Sequence, residues 1–340
     1  MSEIPFYEKD YMPQVRSPSK ESTLSTILDN PVKIYDYLLS KIYKQDNYCR
    51  TASMILYNHI RGIRSVDVIC GPPGVGKSHL WNTLKEIYPK IQIIDSSVLS
   101  QQGWSGKAKI TDFLELIDPS APEQIVVFDE FDKCIASQIG SGGTDHGIRI
   151  QAEFLKLLEG SVITDKSENN FIRYYDTNKM TFILCGSFAE KAAEIASKQS
   201  SSGLGFGAES STEVPYSREL TMQDLIDFGL IPEIASRCTR IINLNSLALD
   251  DYIYLLTLHP ASPIRKLEQL YGMPIHLSQK RVKKIAYEAY HSGLGIRNAY
   301  AQIQQIADER IMRTFMNQKR ILSKNHKERK KTYENNRKSY

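Results

Sequence analysis

A chain of 340 residues with 41% hydrophobic and 24% charged side chains has ordinary globular composition, with room for one large domain and a smaller one. Its net charge of +4 is unevenly spread: residues 319–340 carry nine Lys or Arg against Glu328 and Glu334, so the rest of the chain is mildly acidic. The five cysteines form no Cys-x-x-Cys pair, no apolar run nears the roughly 20 residues that span a bilayer, and no basic start precedes an apolar stretch; a disulfide framework, a zinc knuckle, a membrane span and a leader peptide are all disfavoured, and a cytoplasmic protein is expected.

Residues 1–30 are polar, aperiodic and marked by Pro13 and Pro18, which reads as a flexible arm. From Pro31 the spacing of Ile34, Tyr35, Leu38 and Ile42 predicts a short amphipathic helix, and residues 52–63 a second one ending near Gly62. Short β-rich runs then follow at 66–70, 91–94, 125–128 and 181–184. Between them lie segments of helical period such as Ile110, Phe113, Leu114, Ile117 and Ile150, Phe154, Leu157, Leu158. That alternation predicts an α/β domain over 31–247, a parallel sheet flanked by helices. Beyond Leu247 the strand signal fades, and 249–258, 279–290 and 296–315 predict a small, mainly helical domain over 248–322. Residues 323–340 read as a disordered, solvated basic tail, with contact to nucleic acid as the alternative use of its charge. Gly- and Ser-rich stretches at 138–145 and 198–213 read as loops of the kind that carry function.

Two motifs carry chemistry. Gly71-Pro72-Pro73-Gly74-Val75-Gly76-Lys77-Ser78 follows a predicted strand and opens a helix at His79, the full phosphate-binding loop in its required context. Glycines let backbone N–H groups turn toward phosphates, the helix N-terminus adds partial positive charge, Lys77 reaches the β- and γ-phosphates, and the Ser78 hydroxyl is placed for Mg²⁺. The second motif is the apolar strand 125–128 ending in Asp129 and Glu130: Asp129 is expected to hold Mg²⁺, and Glu130 to orient the attacking water. These residues predict an ATP hydrolase. The strand at 181–184 ends in Cys185-Gly186-Ser187, where Ser187 is the candidate sensor of the γ-phosphate.

From about Pro31 to Phe315 the chain resembles the AAA+ module of ClpX, an unfoldase that partners the ClpP protease. The resemblance rests on Tyr57-Asn58-His59, on Asp129-Glu130-Phe131-Asp132-Lys133, on residues 154–160 and above all on the run from Asp224 to Glu233. It implies a homo-hexameric ring that threads protein substrates through a central pore. By position it makes Arg237 the arginine finger that reaches ATP in the neighbouring subunit, and Gly103-Trp104-Ser105-Gly106 the aromatic pore loop. Leu204-Gly205-Phe206 becomes the tripeptide that docks on a ClpP-type protease. Ile42 and Tyr43 become purine contacts, with Lys44 where the family carries glycine. At the sensor arginine the run is Gly293-Leu294-Gly295-Ile296-Arg297, so Arg297 is the nearest arginine to that place. The zinc-binding module that precedes the ClpX motor and the basic loop at its pore entrance have no counterpart in these residues. Two other uses of the same ring fit the motifs: disassembly of one dedicated complex without a protease, and loading onto nucleic acid.

Overall fold

The computed structural model describes residues 26–98, 114, 116–118, 123–136, 146–166, 172–201, 218–292 and 295–338. Two helices come first, α1 (Pro31–Leu39) and α2 (Asp46–Ile60). Pro31 occupies the first turn of α1, where its missing N–H costs nothing, and the Asn30 side chain caps that turn by accepting from Val32 N at 2.8 Å.

Five strands build one parallel sheet: β1 (Val66–Cys70), β2 (Ile91–Asp95), β3 (Ile125–Asp129), β6 (Thr181–Gly186) and β7 (Arg240–Asn243), in the order β2-β3-β6-β1-β7. The strand period of two sends alternate side chains to opposite faces. Ile69, Ile125, Val127 and Ile183 enter one hydrophobic cluster, whereas Val68, Val126, Phe128, Phe182 and Leu184 enter the other. Both faces being buried explains why these strands read as continuous apolar runs.

One face is covered by α1, α2 and α3 (Lys77–Lys85); the other by α4 (Asp132–Ile135), α5 (His146–Leu158), α6 (Ala189–Ser201), α7 (Met222–Phe228) and α8 (Pro232–Ala235). After Asn243 only helices follow: α9 (Leu249–Thr257), α10 (Pro263–Tyr271), α11 (Gln279–His291) and α12 (Ile296–Lys338). They bury Leu256, Ala286, Ala289, Ala299 and Ile303 in the same cluster that lies against the α1–α3 face of the sheet. The predicted α/β class, with a parallel sheet between helices, is the architecture observed.

Two features escaped the sequence reading. Strand β7 has only four residues, two of them apolar, yet it closes the sheet edge beside β1, in a register that runs from Asp67 opposite Arg240 to Cys70 opposite Asn243. An antiparallel hairpin, β4 (Val162–Lys166) with β5 (Ile172–Asp176), follows α5. The disordered tail expected over 323–340 is corrected, because α12 continues unbroken to Lys338. Residues 296–338 contain neither Pro nor Gly. Lys, Arg, Gln and Glu lose little rotamer freedom in a helix, and extending one already nucleated on buried Ala299, Ile303 and Ala307 adds a backbone hydrogen bond for each residue fixed. The first four residues of the expected loop at 198–213 likewise belong to α6. Most of the expected N-terminal arm and of the helix at 110–117 lies outside the described residues, as does the loop at 138–145. Among the described residues no helix is long and apolar enough to cross a membrane, and all five cysteines are free thiols.

Candidate nucleotide site

Strands β1, β3 and β6 run parallel and adjacent through β6, so their C-terminal ends share one edge of the sheet. Crevices at that edge are where parallel sheets accept ligands. The loop 71–76 leaves β1 there and leads into α3, whose first residue is Lys77. Tyr48 of α2 seats this helix by donating to Lys77 O at 2.8 Å, a support that no motif announced.

The Lys77 ammonium donates to Gly71 O at 2.7 Å and Pro72 O at 2.9 Å, held over the loop that precedes it. Burial holds its pKa below the ordinary lysine value. An anion brought beside it would favour the charged form again. Ser78 Oγ donates to Asp129 Oδ2, and Glu130 N donates to Asp129 Oδ1 at 3.1 Å. A hydroxyl and a carboxylate in contact are the hard-oxygen donor pair that Mg²⁺ takes alongside phosphate oxygens and water, so the residues present fit that ion.

Glu130 has a left-handed backbone, φ 57°, which costs a side chain bearing a Cβ about 1–2 kcal/mol. Its carboxylate forms an ion pair with Lys133, and the hydrogen bond that the ammonium donates to it raises the lysine's pKa. At the end of β6, Ser187 Oγ donates to Asp132 Oδ2 at 2.7 Å and Phe188 N to the same oxygen at 3.2 Å. The non-glycine residues of positive φ among the described ones are Lys44, Glu130 and Phe188. Each lines the crevice or directly follows a residue that does, the clustering of backbone strain expected where a ligand is held.

A cavity of about 530 Å³ gathers these groups. Pro73, Gly74, Val75, Gly76, Lys77, Ser78 and His79 form one wall; Asp129, Glu130, Asp132, Lys133 and Ser187 form another; Ile42 and Tyr43 lie at its end. The helical region supplies Leu255, His259, Lys266, Ile296, Arg297 and Tyr300. Backbone contact joins this region to the loop. Gly74 and Gly295 both take positive φ, 77° and 70°, and a Cβ on Gly295 would lie 2.6 Å from Pro73 O and 2.9 Å from Gly74 Cα. Arg297 sits on the first turn of α12 just beyond that contact.

Beside the cavity, the Tyr43 ring stacks on Tyr254 with centroids 4.6 Å apart, and its hydroxyl donates to Asp251 Oδ1 at 3.1 Å. Lys44 takes φ 57° and places its ammonium 2.5 Å from the same carboxylate. Gln45, buried, closes a two-way amide pair with Asn245: its Nε2 donates to Asn245 O at 2.9 Å and its Oε1 accepts from Asn245 N at 3.0 Å.

Of the described residues expected at the site, Gly71 and Pro72 meet Lys77 through their carbonyls without lining the cavity, and Arg237 does not line it either. Arg237 follows α8, where Nη1 donates to Glu233 O at 2.8 Å and Nη2 to Glu159 Oε1 at 2.9 Å. The segments Gly103-Trp104-Ser105-Gly106 and Leu204-Gly205-Phe206 lie outside the described residues. Sequence reasoning missed Tyr48, Lys266 and Tyr300, which belong to no motif, and passed over the role of Asp132, two residues beyond a motif it recognised.

A family model described as an AAA domain (Cdc48 subfamily) matches residues 64–241. The chain is 28% identical to the ATP-dependent Clp protease ATP-binding subunit ClpX of Bacteroides thetaiotaomicron, with 82% of this chain and 76% of that protein covered. It is 26% identical to the ClpX subunits of Porphyromonas gingivalis and Treponema denticola, with 82% and 83% of this chain and 76% of each relative covered.

Proposed function

Because the chain belongs to the AAA domain family and is a ClpX-like ATP hydrolase of the Clp unfoldase type, we propose that copies of it assemble as a homo-hexameric ring that threads polypeptide through a central pore. Support comes chiefly from one observation: a single cavity unites the loop 73–78, the acid pair Asp129 and Glu130, and Arg297 from the helical region. In this reading the large domain spans 31–247 and the small one 248–322, the protein is cytoplasmic, and Trp104 grips the passing chain while Leu204-Gly205-Phe206 docks a ClpP-type protease.

Each residue's part follows from its surroundings. Lys77, which now donates to two loop carbonyls, transfers those hydrogen bonds to β- and γ-phosphate oxygens, and Ile42 with Tyr43 covers the purine. Ser78 and Asp129 hold Mg²⁺, which when bound neutralises charge developing on the transferred phosphoryl group. Glu130 leaves Lys133 to orient the attacking water, and Ser187 reports on the γ-phosphate. Arg297 carries that signal to the helical region, whose backbone touches the loop at Gly74. Arg237 has no part in its own cavity. Its place is the site of the adjacent subunit, where an arginine supplied in trans is worth about 10³–10⁵ in rate.

Steady-state ATP hydrolysis measured across protein concentration, with Glu130→Gln and Arg237→Ala, tests this reading. Turnover per subunit is expected to rise cooperatively with concentration and to be lost in both variants. Turnover independent of concentration and indifferent to Arg237 would remove the trans arginine and the ring-built site with it.

A further inference from the structure

Resting on the reading of Arg237 as the arginine that reaches a neighbour's nucleotide, we infer that Glu159 is the positioning residue that orients its guanidinium. Glu159 is the residue immediately after α5, and its own N–H closes that helix end by donating to Leu155 O at 3.0 Å. Arg64, two residues before β1, caps the same end by donating to Leu158 O. Glu159 thus projects from a helix terminus fixed to the sheet rather than from a free loop.

Arg237 is held from two directions. Nη1 donates back to Glu233 O at 2.8 Å, in the short helix α8 just before it, and Nη2 donates across to Glu159 Oε1 at 2.9 Å. Two contacts from separate elements define the plane of a rigid guanidinium. The group carries five N–H donors, so three remain to meet a phosphate. The ion pair is partly exposed, 33% for Arg237 and 49% for Glu159, and pairs in such settings add little to stability. Its consequence is orientation: a long side chain already fixed before the partner's phosphate arrives loses less freedom on engaging it.

The test is steady-state hydrolysis at a concentration where wild-type turnover per subunit has levelled off, for Glu159→Ala, Glu159→Asp, Glu159→Gln, Arg237→Ala and the Glu159→Ala/Arg237→Ala pair, each with its thermal midpoint. The alanine and aspartate variants, which lose the oxygen or its reach, should drop kcat about tenfold or more with the KM for ATP and the midpoint unchanged. Glutamine, which keeps an accepting oxygen at the same reach, should restore most of the rate, and the double variant should be no slower than Arg237→Ala alone. If Arg237→Ala abolishes turnover while Glu159→Ala and Glu159→Asp both run at the wild-type rate, positioning is overturned and the arginine's assignment stands. The same holds if Glu159→Ala slows the Arg237→Ala protein by as large a factor as it slows the wild type. Wild-type turnover in Arg237→Ala overturns both.

Discussion

Gly295 meets the phosphate-binding loop more closely than any side chain allows. With φ 70° and a virtual Cβ 2.6 Å from Pro73 O, it lets two backbones touch where the helical region faces Gly74. Gly295→Ala adds a strained φ to a steric clash, an effect of order 1–3 kcal/mol. The expected outcome is weaker nucleotide binding with the fold retained, read by calorimetric titration of the purified variant; unchanged affinity would mean that the loop does not depend on this contact. Lys44 offers a contrast at the same scale. Its left-handed backbone is the conformation in which glycine is least strained, so the resemblance to a glycine-bearing family and the structure agree on the backbone while differing in side chain. The ammonium's ion pair with buried Asp251 offsets part of that strain. The motif residues at 71–78, 129 and 130 were legible because their spacing is dictated by the ligand's phosphates. Lys266 and Tyr300 were not, since their approach to the cavity depends on how α10 and α12 pack.

Among elements, α2 shows how a helix is locked to the sheet by one titratable group. His59 is buried, accepts or donates through Nδ1 to Thr181 Oγ1 of β6 at 2.9 Å, and lies edge-on to Tyr88. Burial pushes its pKa down from 6.5 to about 4. The folded state therefore prefers the neutral ring. Stability from this group is complete above pH 6.5, is lost as pH falls, and levels off near pH 4, for a total of about 3 kcal/mol. Denaturant unfolding at several pH values should show this slope in the wild type and its absence in His59→Asn, whose stability at pH 7 is expected to be lower; equal slopes in the two proteins would remove the group from the account. The residues 57–59 were singled out by resemblance alone, and the apolar spacing of α2 was readable. That the histidine is neutral and faces β6 required knowing which strand lies beneath it.

For the whole molecule, the larger hydrophobic cluster runs from α1 through the sheet to Ala307 of α12, and among the described residues only the partly buried Ile311 packs against it from further along that helix. Met312, Phe315, Met316, Ile321 and Leu322 are more than half exposed. Removing residues 319–340 should therefore shift the thermal midpoint by less than about 2 °C, while far-UV circular dichroism loses the signal of roughly twenty helical residues. A fall of several degrees would show that this end packs on the body. By itself the sequence determined the α/β class, four of the five sheet strands and the candidate site's motifs. These follow from side-chain periodicity and from glycine, lysine and carboxylate spacing, which are local properties. Tertiary structure alone decided the sheet order and the closing strand β7, whose short sequence becomes a strand only through the free edge of β1. It also decided the course of α12 to Lys338, because a charged segment reads as solvated until a nucleated helix carries it forward. The meeting of α12 with the phosphate-binding loop came from the same source: residues 74 and 295 are distant in the chain, and only packing brings their backbones into contact.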